Sequence, residues 1–457
     1  MKTRFTKITA RNFKSLKSFE LTLRPLNILI GPNASGKTNT LELFRFITKC
    51  LVPQETPSYP FTDWWGYSNI VWRSEENLPI SFGLDGNYSG FNFSYRGEIT
   101  GYGGKLKFIS EEFDMKGVLK LTRKLDELSL TFDQSYLELI KEAFDDYSLD
   151  QKLYGIPADK LDINTLFVQK MQGMPEDISM LRSSSGWSAS YSEKQGKRKD
   201  KFAIGYIHFR NQIMQMTDFV YISPMSQRTE SVMNNKGKIV KESRFGSVFP
   251  EILNFINVNE MIFIRQINPS LVRQPSPLIS NLDLTYGEGL TNRLFKWFTE
   301  KGGKLPDLIE SALRELFPNF RIAFEITPDG RIMMNIYEGE LKLLPPSIPD
   351  GLLKMLIILT AIELKPQILL IDEIENSLHA QLIEYLLSAL KTSESTVMVT
   401  THSPVVVDLA DIEDLVLVSR RGYETKLERV ENPEKVRKRL SEDGITVSDS
   451  WLYGKLQ

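Results

Sequence analysis

The stretch Gly31-Pro32-Asn33-Ala34-Ser35-Gly36-Lys37-Thr38 decides how the rest of the chain is read. It fits the spacing G-x-x-x-x-G-K-[ST]. The apolar run Leu26-Asn27-Ile28-Leu29-Ile30 precedes it, and a helix-like stretch, 39–46, follows. Strand, glycine loop and helix in that order are the setting the spacing requires. The glycines let backbone N–H groups turn inward around a polyphosphate, and the following helix adds the positive end of its dipole. Lys37 places a charge near the terminal phosphate, and Thr38 offers a hydroxyl to Mg²⁺. Residues Gly31, Pro32, Asn33, Ala34, Ser35, Gly36, Lys37, Thr38 and Asn39 are therefore the expected contacts of a nucleoside triphosphate, with ATP as the expected ligand.

A second motif lies far downstream. Ile368-Leu369-Leu370-Ile371-Asp372-Glu373 reads as a strand covered on both faces and ending in two carboxylates. Open α/β sheets gather ligand chemistry at the C-terminal ends of their strands. Asp372 is thus expected to hold Mg²⁺, directly or through water, opposite Thr38. Glu373 is expected to orient or deprotonate a water as general base. Alone, the string also fits a strand end with capping acids; the phosphate loop upstream favours the metal-and-base reading. The run Val397-Met398-Val399-Thr400-Thr401-His402-Ser403-Pro404 is another apolar strand, this time ending in a histidine. Of the three histidines, His208, His379 and His402, the last suits a γ-phosphate sensor, whereas His379 reads as structural. Lys37, Glu373 and His402 are the expected catalytic side chains.

Bulk properties narrow the class. At 457 residues, two or three domains are expected. A hydrophobic content of 41% with 25% charged residues fits a folded chain and not a disordered one. The formal charge of −2 gives no global attraction to nucleic acid or anionic membrane, which leaves local patches. A single cysteine, Cys50, excludes an intrachain disulfide framework and a cysteine-ligated zinc, and points to a reducing compartment. No run reaches the roughly 18 to 20 apolar residues of a membrane span. The nearest, 352–364, is interrupted by Lys354 and Glu363 and reads as a buried core helix. The basic start (Lys2, Arg4, Lys7, Arg11) lacks an apolar targeting segment. The expectation is a cytoplasmic protein without a membrane partner.

Along the chain, 3–31 read as strands, and 66–108 as an antiparallel meander punctuated by glycine. Tyr136, Leu139, Ile140, Ala143, Phe144 and Tyr147 follow helical spacing. Residues 182–201 are serine-rich and then basic, a loop by composition. Phe219-Val220-Tyr221-Ile222 reads as a strand, Pro306 opens a helix, and Asp329-Gly330 turns a hairpin. After 351, helix and strand alternate in the rhythm of a parallel sheet. The fold class expected is α/β, a mixed-sheet ATPase core with an antiparallel β-subdomain and a partly helical insertion. The expected division is 1–108, the N-terminal part of the core; 109–216, the insertion; and 217–457, the C-terminal part.

These pieces in this order resemble the ABC-type ATPase heads of the SMC, RecF and OLD (overcoming lysogenisation defect) group, and the compact AAA-family ATPases beside them. The resemblance rests on the phosphate loop preceded by Arg11-Asn12-Phe13-Lys14-Ser15, on Ile371-Asp372-Glu373-Ile374-Glu375-Asn376-Ser377-Leu378-His379, and on Thr400-Thr401-His402-Ser403-Pro404. It implies two heads that sandwich two ATP molecules head to tail. Each ATP then lies between one subunit's phosphate loop and the other's signature motif. Pro349-Asp350-Gly351-Leu352-Leu353-Lys354 occupies the signature's place, so Asp350 and Gly351 are expected to meet the partner's nucleotide. Related heads carry serine where Pro349 stands, and Pro349 has no N–H to donate. Gly351 and the helix behind it can still serve a phosphate. Gln227 is a candidate for the family's glutamine loop.

About fifty residues follow Ser403-Pro404 without the acidic constellation of a Toprim nuclease, and no long coiled coil interrupts the chain. The resemblance thus implies a stand-alone head that dimerises on ATP, as a homodimer or a higher homo-oligomer. It implies DNA-related work, repair or anti-phage defence, with a separately encoded effector such as a nuclease. A nucleotide-gated binding module with negligible turnover is the alternative. A further reading makes 182–201 a nucleic-acid contact, with Trp187 and Tyr191 stacking on bases; a solvated loop is the other.

Overall fold

The computed structural model describes residues 3–51, 61–88, 91–117, 119–125, 127–132, 168–171, 184–190, 202–210, 216–233, 239–247, 261–278 and 283–456. The chain divides into two compact units. One holds Phe46–Val258 with Ile8–Lys14; the other holds Asn259–Gln457 with Arg4–Lys7 and Ser15–Arg45.

The second unit is built on a six-stranded sheet. Its strands run, in spatial order, Met261–Ile264, Ile368–Ile371, Thr396–Thr401, Leu26–Ile30, Leu415–Arg421 and Glu424–Arg429. The first five are mutually parallel, and the last pairs antiparallel with its neighbour. The central strands are buried at every position, which is why Ile368–Ile371 and Leu26–Ile30 read as unbroken apolar runs. The helix Asp350–Glu363 is buried over all of Leu352–Ile362. Eleven consecutive buried residues leave no solvent face, so the expected core helix is observed. Each Leu or Ile fully buried there contributes about 1.5–3 kcal/mol. Helices Lys37–Leu51 and Ala380–Thr392 follow the phosphate loop and the Asp372 turn. The hairpin of Phe320–Ile326 and Arg331–Glu338 forms as expected, after the helix Asp307–Leu316 with Pro306 at its N-cap.

The first unit is β-rich. Ile80–Tyr88, Phe91–Thr100, Lys107–Met115, Leu119–Lys124, Glu127–Phe132 and Val168–Met171 pair antiparallel in sequence order. The meander therefore runs on past 108, and the boundary expected at 108/109 falls inside the strand Lys107–Met115. Its start is later than expected. Residues 62–74 form three short 3₁₀ turns because Trp64, Tyr67 and Trp72 are buried from successive turns. Left-handed backbone at Trp65 and Gly66 breaks any extended run there.

A second antiparallel sheet joins Ser184–Ser190, Phe202–Arg210, Met216–Met233 and Ile239–Ser247. The loop expected across 182–201 is corrected for Ser184–Ser190, a strand paired with Phe202–Arg210 through a bulge before Trp187. A ladder needs backbone partners more than apolar side chains, so serine content misled the reading. The basic residues Lys194, Lys197, Arg198, Lys199 and Lys201, and the helical spacing of Tyr136 to Tyr147, lie outside the described residues. Within 109–216 every regular element described is a strand. Gln227 lies inside the strand Met216–Met233 and not in a loop after it.

Candidate functional site

Strand order brings three C-terminal strand ends side by side: Ile30, Ile371 and Thr401. From Ile30 the chain enters the loop Gly31–Gly36. A Cβ on Gly31 would sit 2.2 Å from the Val418 carbonyl oxygen. One on Gly36, at φ +107°, would sit 2.0 Å from Thr425 Oγ1. No larger residue fits either place. The last two strands clasp the loop from outside: Thr425 Oγ1, in the last, lies 2.7 Å from Ser35 O and 2.8 Å from Ser15 Oγ, and Arg420, in the one before it, donates to Ala34 O at 3.1 Å. Asn39 turns its side chain aside to Ser15 Oγ, at 2.8 Å.

Lys37 folds back over the loop and donates to the carbonyls of Gly31 and Pro32, at 2.8 and 3.1 Å. Burial lowers its pKa, against the raising influence of Glu375, Asp372 and Glu373. Ser35 Oγ is buried without a hydrogen-bond partner. A cradle closed to any Cβ, with an unsatisfied hydroxyl and a lysine at a helix N-terminus, fits a phosphate chain.

Thr38 and Asp372 are brought together. Thr38 Oγ1 lies 3.2 Å from both carboxylate oxygens of Asp372. Thr400 Oγ1 donates to Asp372 Oδ1 at 2.5 Å and accepts from the backbone N–H of Glu373 at 2.8 Å. Burial raises the Asp372 pKa; hydrogen bonds from Thr400 and Thr38 and the Arg265 charge oppose the rise. A carboxylate held beside a hydroxyl in a half-closed site is a donor set suited to Mg²⁺.

Glu373 adopts left-handed backbone, φ +49°, a conformation that costs a non-glycine residue about 1 kcal/mol or more. Besides the bond to Thr400, Lys354 Nζ donates to Glu373 O at 2.7 Å, and Asn376 Nδ2 donates to Glu373 Oε2 at 2.7 Å. Lys354 is buried in the helix Asp350–Glu363, and desolvation lowers its pKa to about 8. His402 follows the strand Thr396–Thr401 and is engaged by Glu375, which accepts from its backbone N–H at 2.8 Å and lies 2.9 Å from its Nδ1. His379 caps the helix Ala380–Thr392, its Nδ1 accepting from Leu382 N at 3.4 Å, the structural place expected of it.

The signature segment is differently engaged. Pro349 is the N-cap of its helix, and its carbonyl accepts from Leu353 N at 3.3 Å. Asp350 pairs with Arg273. A Cβ on Gly351 would lie 2.8 Å from Ser377 O. Sequence reasoning passed over Thr400, Thr425, Glu375 and Lys354 as parts of the site. Only Lys354 carried a local signal, a lone charge in an apolar helix.

A phosphate loop on a buried parallel strand, with an acidic strand end beside it, defines a nucleotide-binding P-loop ATPase fold. The chain belongs to the AAA ATPase domain family, whose pattern matches residues 4–243. Residues 258–408 match a second family, described as AAA domain, putative AbiEii toxin, Type IV TA system. No curated protein matches the chain. Among solved structures, the chain is similar to an SMC head bound to the C-winged helix domain of ScpA, at 11% identity and TM-score 0.49 over 95% of this chain and 99% of that one. It is also similar to the SMC head domain from Thermotoga maritima, at 13% and 0.38 over 94% and 99%. An Smc head with an extended coiled coil bound to the C-terminal domain of ScpA, derived from Pyrococcus furiosus, matches at 11% and 0.45 over 97% and 100%.

Proposed function

We propose that the chain is an ABC-type ATPase head that binds ATP with Mg²⁺ and hydrolyses it between two copies arranged head to tail. The observation that carries this reading is the convergence of Lys37, Thr38, Asp372, Thr400, Glu373 and His402 at neighbouring strand ends. The loop N–H groups and Lys37 receive the phosphates, with Lys37 exchanging the Gly31 and Pro32 carbonyls for phosphate oxygens. Thr38 and Asp372 would hold Mg²⁺, which would supply charge that offsets the polyphosphate. Glu373 takes a proton from the attacking water, whose oxygen bonds to the γ-phosphorus as the bond to the bridging oxygen breaks, giving ADP and phosphate. His402 meets the γ-phosphate. Asp350 and Gly351, at the start of a helix of 14 residues, serve the nucleotide of the other copy.

In this reading the ATP-driven pairing operates in the cytoplasm in DNA-related work, repair or anti-phage defence, through a separate effector such as a nuclease. The toxin–antitoxin wording of the second matching family accords with a defence role. Among the described residues no helix is long and apolar enough to cross a membrane.

Glu373→Gln keeps the site's shape and removes the base. Light scattering of this variant is expected to give twice the monomer mass with ATP and Mg²⁺, and monomer mass without. An unchanged mass in both conditions contradicts the pairing. Pro349 favours one second reading, a nucleotide-gated module with negligible turnover, because the capping residue offers the partner's phosphate neither hydroxyl nor N–H. Steady-state turnover of about 1 s⁻¹, the low end of working enzymes, excludes it.

A further inference from the structure

One carboxylate of the site has no part in the reaction above. Glu375 lies in the turn after Asp372, its side chain one-tenth exposed. Its Oε1 accepts from the His402 backbone N–H at 2.8 Å and lies 2.9 Å from Nδ1 of the same residue's ring. Its Oε2 is buried and has no hydrogen-bond partner. Of the three carboxylates whose charge acts on Lys37 and on Lys354, that of Glu375 acts most strongly. The carboxylate is therefore tied to the histidine and set among the amines of the site.

An ionised carboxylate only accepts hydrogen bonds, so the nitrogen beside it must carry the hydrogen. That commits Nδ1 of His402 to Glu375 and leaves Nε2 as the ring nitrogen that can meet anything else. The His402 side chain is 45% exposed, so a ligand can reach the ring. Because the same oxygen holds the His402 backbone, ring and chain are located together. Removing the carboxylate frees both.

We propose that Glu375 is the positioning residue of His402: it holds the ring with Nδ1–H turned inward and presents Nε2 to the γ-phosphate end of the nucleotide. What Nε2 meets rests on the ATPase reading above; the tautomer does not. The role is separate from that of Glu373, whose side chain bonds to Asn376.

The test uses the full chain labelled with ¹⁵N, whose three histidines give few imidazole signals; His402→Asn assigns the one that matters. At a pH where the ring is neutral, wild type is expected to show His402 as the Nδ1–H tautomer. Glu375→Gln keeps an acceptor oxygen and is expected to retain it. Glu375→Leu is expected to shift the ring toward the Nε2–H tautomer that a solvated histidine prefers. In parallel, turnover at saturating ATP is expected to fall on the order of 100-fold in Glu375→Leu, the scale of a misplaced catalytic group, while Glu375→Gln stays near wild type. KM for ATP is expected to stay within about threefold, since the phosphate loop is untouched. An Nε2–H tautomer in wild type overturns the proposal, even where Glu375→Leu fails to fold. So does a tautomer indifferent to Glu375→Leu, or wild-type turnover in that variant. Absence of turnover in every form, with the tautomer following Glu375, supports the positioning role and counts against the ATPase reading.

Discussion

Lys354 is the residue that most sharply separates a packing role from a site role. It is the one charged side chain along the buried part of its helix, Leu352–Ile362, and desolvation lowers its pKa from 10.5 to about 8. A lysine whose folded pKa is depressed holds fewer protons folded than unfolded between those two values. Stability therefore rises with pH from about 8 to 10.5 and carries the full burial cost below about 8. The shift corresponds to a few kcal/mol at most, on the order of 3. Relative to Lys354→Met, denaturant unfolding is expected to show a wild-type deficit that narrows from pH 8 to pH 10.5. Parallel pH profiles for the two proteins would remove the buried cation from the account. Lys354 was legible as an anomaly in the sequence, an ammonium inside an apolar run. Its partner was not, because the Glu373 carbonyl reaches it only through a left-handed turn.

At the scale of elements, the strand–loop–helix around Gly31–Thr38 and the acidic strand end at Asp372 were legible because their chemistry is local: adjacent residues supply the whole pattern. Thr400, Thr425 and Glu375 were not. Parallel register sets Thr400 opposite Leu29 and carries it to Asp372, and the antiparallel edge brings Thr425 to a loop 390 positions away. No spacing rule spans such separations. The misreadings were of composition. Serine suggested a loop where Ser184–Ser190 pairs as a strand, and aromatics suggested strands where 66–74 packs as turns. The signature helix carries the prediction at this scale. Serine caps a helix well and adds both an N–H and a hydroxyl, so Pro349→Ser is expected to raise steady-state ATP turnover, on the order of tenfold where one phosphate donor is restored. Unchanged turnover in a folded variant would take the signature segment out of the reaction.

For the whole molecule, the two compact units divide the labour that the chain's length suggested. The unit containing Ser15–Arg45 and Asn259–Gln457 holds every residue assigned here to nucleotide chemistry, and the other is an antiparallel β structure. In the proposed reaction this nucleotide-binding unit hydrolyses ATP with Glu373 as base. Comparing wild type with Glu373→Gln, by steady-state phosphate release and by binding of a fluorescent ATP analogue, tests it most directly. Turnover is expected to fall at least about 100-fold, the contribution of a general base, while nucleotide affinity is kept. Phosphate release at the wild-type rate from a nucleotide-bound Glu373→Gln variant would contradict it.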